Sequence, residues 1–324
     1  MKTNLCRRLI RFFQILLFAA GGFSAHAGPR WDLILTESEW VGPNIIRIPF
    51  TLTGTLITVR AQVDTVEGNF FFDTGASGLL LNYRYFDNVN RIASEEAGGV
   101  TGRVRVLGAT RVDTFQFDNL MATEVDAELI DFRHIENAKK VELVGLIGYS
   151  VFKDFEVLFD YEASLLVLIR TDKSGGQLEA LPRWEYKPIG NAPVELSEHV
   201  AIIWLKFASK QEKKFALDSG AEQNLLSTTS GKRFLKENFE IRRRVKLRGT
   251  GNQNIEVLSG ILQNAVLDTF KIKPMATLLT DLSEINAAYQ SDVDGMLGYE
   301  FLKQRPVSIN YRKRRITFYV KERP

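Results

Sequence analysis

An aspartate set inside an apolar run occurs twice in this chain, each time in the same surroundings. The first copy is Phe70-Phe71-Phe72-Asp73-Thr74-Gly75-Ala76-Ser77-Gly78-Leu79-Leu80-Leu81. The second is Phe215-Ala216-Leu217-Asp218-Ser219-Gly220-Ala221-Glu222-Gln223-Asn224-Leu225-Leu226. A bare carboxylate among such residues is costly to bury, so each needs hydrogen-bond donors or a shared proton. A hydroxyl residue follows each aspartate, and the Gly-Ala after it lets backbone N–H groups come close. About one small domain's length separates the copies. A repeat of this period predicts two similar units, each offering one aspartate.

Each copy has a later echo. Val144-Gly145-Leu146-Ile147-Gly148-Tyr149 follows the first, and Asp294-Gly295-Met296-Leu297-Gly298-Tyr299 follows the second. Asp-Thr/Ser-Gly-Ala followed at a distance by apolar-apolar-Gly resembles the aspartic proteases, in particular the retropepsin-like and pepsin-like bacterial forms with two lobes in one chain. The resemblance covers nearly the whole chain after its leader. It implies a mostly β, acid-protease fold: two similar β-barrel-like lobes from internal duplication, with a cleft between them. It also implies that the Gly148 and Gly298 segments support the aspartate loops, with short helices at Ser150–Lys153 and Glu300–Lys303. Retroviral members usually carry Gly-Arg-Asn/Asp where this chain has Gly148-Tyr149-Ser150 and Gly298-Tyr299-Glu300, a departure that touches the retroviral dimer contact and not the aspartates.

The first residues read differently from the rest. Lys2, Arg7, Arg8 and Arg11 precede an apolar stretch from Phe12 to Phe23, and Ala25-His26-Ala27 fits a small-x-small cleavage site. Residues 1–27 therefore read as a secretory signal peptide, with export to the periplasm, or full secretion as the alternative. The apolar stretch is short for a membrane span, so no stable span is expected after leader removal. Cys6, the only cysteine, lies in this segment, which leaves no disulfide or cysteine metal site beyond it. The formal charge of +3 becomes −1 without the four leader cations, which gives nucleic-acid binding no compositional support.

Beyond the leader, alternating apolar and β-branched runs predict strands at Leu56–Val63, Val112–Phe117, Val125–Ile130, Phe155–Tyr161 and Leu165–Ile169. The second half repeats them at Val200–Phe207, Leu267–Ile272, Val307–Tyr311 and Ile316–Val320, and Met275-Ala276-Thr277 echoes Met121-Ala122-Thr123. The polar, glycine-bearing Thr171–Gln177 stretch predicts a boundary, giving lobes at 28–174 and 175–324. Gly98 and Gly99 sit at a hairpin tip, and Gly249 and Gly251 hold the matching place in the second lobe. Read alone these are surface hairpins; the resemblance makes them flaps that cover substrate.

The chemistry expected is hydrolysis of a peptide bond in a peptide or protein substrate by a single-chain monomer, without cofactor or metal. Asp73 and Asp218 would meet at the cleft and share one proton, since two close carboxylates resist joint ionisation. The ionised member would take a proton from water while the other donates to the scissile carbonyl. Thr74, Gly75, Ser219 and Gly220 would hold the carboxylates in place. The alternative is a non-catalytic two-lobed module of the same fold that binds a peptide or protein without cutting it; a homodimer using one aspartate per chain is a third reading. Other candidates are weaker. His134 and His199 read as surface or structural residues, and no His pair has zinc-ligand spacing. Ser77 lacks a Gly-x-Ser-x-Gly elbow. The runs Arg242–Arg248 and Arg312–Arg315 read as a solvated strand face and a hairpin turn. Glu222 adds a carboxylate near the dyad.

Overall fold

The computed structural model describes residues 40–86, 95–99, 102–182, 185–208, 211–248 and 254–321. The proposed leader, Gly249 and Gly251 lie outside these residues. The described chain is mostly β, in three sheets.

A nine-stranded sheet is built from residues 40 to 147, and a ten-stranded sheet from residues 195 to 297. A six-stranded sheet joins them, drawing Ile45–Pro49, Phe155–Asp160 and Leu165–Arg170 from the first part and Lys187–Pro193, Val307–Asn310 and Arg315–Val320 from the second. Its two central strands pair antiparallel, with Val157 opposite Ile309 and Phe159 opposite Val307. Burial on both faces explains the lack of alternation: Phe155–Asp160 and Val307–Asn310 are buried at every position, and their polar members are bonded, Asn310 Nδ2 donating to Glu156 Oε2 at 2.9 Å and the Tyr186 hydroxyl to Asp160 Oδ2 at 2.9 Å.

In the nine-stranded sheet, Val66–Phe72 runs parallel to Gly145–Ile147, which is flanked on its other side by antiparallel Leu79–Asn82. The chain therefore leaves one strand at Phe72, turns through Asp73-Thr74-Gly75, and re-enters two strands away at Leu79. The ten-stranded sheet uses the same device. Glu212–Leu217 runs parallel to Gly295–Leu297, and Asn224–Ser227 lies antiparallel on its far side. Each aspartate N–H is fixed by this crossing: Asp73 donates to Ile147 O and Asp218 to Leu297 O, both at 3.0 Å.

The glycine that ends each inserted strand is required by close approach. A Cβ on Gly148 would stand 2.6 Å from Ala76 O, and one on Gly298 would strike the Ala221 carbonyl. Tyr149 and Tyr299 then donate backbone N–H bonds to those same carbonyls, at 2.9 and 3.1 Å. Short helices follow at Tyr149–Phe152 and Tyr299–Leu302.

Three sequence expectations change. Leu267–Ile272 is not one strand. Asp268 adopts a left-handed backbone (φ 53°), as Asp118 does (φ 54°), and breaks the run into Val266–Leu267 and Phe270–Lys271. The Met-Ala-Thr echo is also out of register. Leu80 lies beside Glu128 while Leu225 lies beside Leu278, so Met275 matches Val125 and not Met121. The first glycine hairpin extends further than expected: Glu95–Gly99 pairs with the start of a sixteen-residue strand, Gly102–Phe117.

Among the described residues no helix is long and apolar enough to cross a membrane.

Candidate active site

Asp73 and Asp218 come together where the two loops meet, each with 1% of its surface exposed. The loops are tied by a reciprocal set of bonds. Thr74 N–H donates to Ser219 Oγ at 3.0 Å, and Ser219 N–H donates to Thr74 Oγ1 at 2.9 Å. Each hydroxyl passes its own proton to the opposite strand, Ser219 Oγ to Phe72 O at 2.8 Å and Thr74 Oγ1 to Leu217 O at 3.4 Å. The N–H and the hydroxyl of both residues are thereby used across the junction, as burial demands.

The carboxylates are held alike. Gly75 N–H donates to Asp73 Oδ1 at 2.8 Å, and Gly220 N–H to Asp218 Oδ1 at 2.7 Å. Each glycine also stands against the opposite carboxylate. A Cβ on Gly75 would lie 2.6 Å from Asp218 Oδ2, and one on Gly220 would strike Asp73. Glycine is therefore the residue that lets the two acids approach.

Burial pushes the Asp73 carboxyl up, against the pull of hydrogen bonds from Asp218 and the Gly75 N–H. Burial and the charge of Asp73 push Asp218 well above the ordinary carboxylate range. A pair of this kind retains one proton at pH values where isolated aspartates have lost theirs, and it titrates as a unit. Asp218 Oδ2 is buried with no hydrogen-bond partner in the protein.

Further residues surround the pair, beginning with His199, which the sequence alone presented as surface or structural. His199 is 6% exposed, and its Nε2–H donates to Gly75 O at 3.0 Å. Burial lowers its pKa, against the pull of the Gly75 bond and of the Glu198 and Asp73 charges, which favours the neutral ring. The Tyr289 ring stands edge-on to His199, with centroids 6.2 Å apart. Below the loops, two aromatic pairs cross between the halves: Tyr149 with Tyr311 at 5.3 Å and Tyr161 with Tyr299 at 5.4 Å, both edge-to-face. Glu222 forms a buried ion pair with Lys139, and Thr55 Oγ1 lies 3.4 Å from Glu222 Oε2. One signal for His199 was available: it stands just before Val200–Lys206, the strand paired with the one that leads to Asp218, as Thr55 stands just before Leu56–Val63, the strand paired with the one that leads to Asp73. Tyr289 and Lys139 gave none, because only the tertiary meeting of distant segments reveals them.

The remaining candidates fall elsewhere. Gly98 and Gly99 form the end of the Glu95–Gly99 strand, whose backbone lies against the helix Ser283–Ala288. Ser77 is tied through its carbonyl, which accepts from Ser150 N–H at 2.9 Å. Arg242 is exposed and bonded to Glu240 two residues away, and Arg312 pairs with Asp154. His134 is half-buried, and burial lowers its pKa too. No group of three or more His, Cys, Asp or Glu side chains that could hold a metal ion occurs among the described residues.

The arrangement can hold one proton between two acids in a dry setting and can polarise a water or carbonyl placed against them. No protein-family model matches the chain, and no curated protein is significantly similar to it.

Proposed function

We propose that this chain is an aspartic endopeptidase of the retropepsin-like and pepsin-like kind, with two similar lobes arising by internal duplication. Asp73 and Asp218 form its catalytic dyad. The observation that carries this reading is the reciprocal bonding of Thr74 and Ser219. It brings two buried carboxyls face to face from two loops of the same strand crossing. The matched registers around Gly145–Ile147 and Gly295–Leu297 support the duplication.

In this mechanism the dyad holds a water with one proton shared between the acids. The ionised carboxylate takes a proton from that water as it attacks the scissile carbonyl, and the protonated carboxyl donates to the carbonyl oxygen. Collapse of the tetrahedral diol passes a proton to the leaving amine and restores the monoprotonated pair. No covalent enzyme intermediate forms. Thr74, Gly75, Ser219 and Gly220 fix the carboxyl planes, and the Gly98–Gly99 hairpin covers the substrate. The enzyme acts as an exported monomer on a peptide or protein.

The test is digestion of a diverse peptide pool by the protein from Gly28 onward, from pH 3 to 8, beside Asp73→Asn and Asp218→Asn. Cleavage by the unaltered protein, lost in both variants, is the expected result. Peptide binding without cleavage at any pH would replace this reading with a binding module.

A further inference from the structure

Buried oxygens at the dyad without a partner include Asp218 Oδ2 and the hydroxyls of Tyr161, Tyr289 and Tyr311, and of the three hydroxyls Tyr289's is the one that acts on Asp218 through hydrogen bonding as well as charge. Tyr289 is 1% exposed, so its hydroxyl has given up water without a replacement bond. A donor and an acceptor orphaned together in one dry site are each costly alone and complementary as a pair.

The fold aims this side chain deliberately. The helix Ser283–Ala288 ends on Tyr289, whose N–H donates to Ile285 O at 2.8 Å. Ser197 Oγ donates to the Tyr289 carbonyl at 2.8 Å, which fixes the residue beside the turn that carries His199. His199 braces the ring and is itself bonded to Gly75 O, on the residue that faces Asp218 Oδ2. Burial and the charges of Asp218 and Asp73 hold the hydroxyl in its protonated form, so it is a donor.

The other half of the chain uses the same place differently. There the helix Arg133–Lys139 ends on Lys139, and the next residue, Lys140, is left-handed, as Gln290 is after Tyr289. Lys139 turns to Glu222. One side of the dyad is thus flanked by an ion pair and the other by a free hydroxyl.

We propose that Tyr289 is a positioning residue for the dyad, its hydroxyl donating to Asp218 Oδ2 and holding that carboxyl in the plane needed for proton transfer. The catalytic consequence rests on the protease reading above, whereas the hydrogen bond itself does not. A donor to a carboxylate favours its ionised form, so this bond restrains the rise in the pair's second ionisation.

Tyr289→Phe keeps the ring against His199 and removes the donor. Its turnover of the best peptide from the pool is expected to fall about tenfold with KM little changed, and the basic limb of the pH profile to move up by about one unit. The titratable groups facing Tyr289 are Asp218, Asp73 and His199. Glu198, beside it, accepts from Gln290 at 2.7 Å, and the helix touches the strand bearing Glu95 and Glu96. Carbon-13 NMR titration of the Asp218 carboxyl separates its ionisation from these and reads the bond even if no peptide is cut. In Tyr289→Phe that ionisation is expected to move up. With 3-fluorotyrosine at position 289, a stronger donor of nearly the same shape, it is expected to move down. An Asp218 titration unmoved by both changes overturns the proposal. Faster turnover in Tyr289→Phe also overturns it, because the side chain would then be an obstruction. Loss of all cleavage by the unaltered protein, with the carboxyl shifts present, would remove the protease reading and leave the hydrogen bond standing.

Discussion

Lys139 and Glu222, 83 residues apart, form an ion pair in which each side chain is about one-tenth exposed. It joins the helix of one half to the aspartate loop of the other. Removing one partner from such a pair leaves an uncompensated charge, which costs about 3 kcal/mol, far above the value of a surface pair. Lys139→Met is therefore expected to destabilise the protein by about that amount in urea unfolding. The double variant Lys139→Met with Glu222→Leu should recover most of the loss. Equal losses in the single and double variants would show that the pair is not coupled.

The Thr74 hydroxyl accepts the Ser219 N–H and has no apolar substitute. Thr74→Val preserves shape and strands that N–H in a dry site. The expected cost is about 1–3 kcal/mol, seen as a lower urea midpoint at unchanged slope. Thr74→Ser retains the acceptor and should lose under about 1 kcal/mol. Equal stability of the valine and serine variants would mean that the bond is replaceable.

Much of this site was legible in the chain itself. The two aspartates, their hydroxyl neighbours and the glycines at 148 and 298 all follow from a local requirement: a carboxylate in an apolar run needs donors and space. The closing hairpins were equally plain, because their inner strands are buried at every position and their runs are mostly apolar. What could not be read depends on contacts between distant segments. His199 read as a surface or structural histidine, and only the meeting of the halves shows that it is buried on Gly75. Tyr289 and Lys139 end matching helices but carry unrelated side chains, so no repeat pointed to them. The Met-Ala-Thr echo misled because register follows strand pairing, and Leu267–Ile272 failed as one strand because Asp268 takes a left-handed turn.

The raised carboxyl pKa values fix how stability depends on pH. A carboxyl that binds its proton more tightly when folded contributes stability below its unfolded pKa. That contribution is lost as pH rises through the folded pKa. Asp73 and Asp218 both behave this way, so their contribution falls from the ordinary aspartate range upward. Asp218→Asn removes the buried repulsion. The variant is expected to melt several degrees above the unaltered protein at pH 7, with the gap closing toward pH 4. A gap that widens on acidification would reverse the sign and contradict the burial argument.

Gly75 is the point where backbone and opposing carboxylate come closest. A methyl group there would sit 2.6 Å from Asp218 Oδ2 and 2.7 Å from its Cγ, and neither loop can yield without breaking the Thr74–Ser219 bonds. Gly75→Ala should therefore separate the two acids. Misplacement by about 1 Å costs on the order of a hundredfold in a reaction that depends on two positioned groups. Peptide cleavage is expected to fall at least about that far. The upward shift of Asp218 should shrink as well, because the part due to the Asp73 charge weakens with distance while the part due to burial remains. Carboxyl titration of Asp73 and Asp218 in Gly75→Ala measures that second effect directly. A variant with normal cleavage and unchanged ionisations would mean that the loop relaxes without moving the acids, and that Gly75 is not what sets their approach.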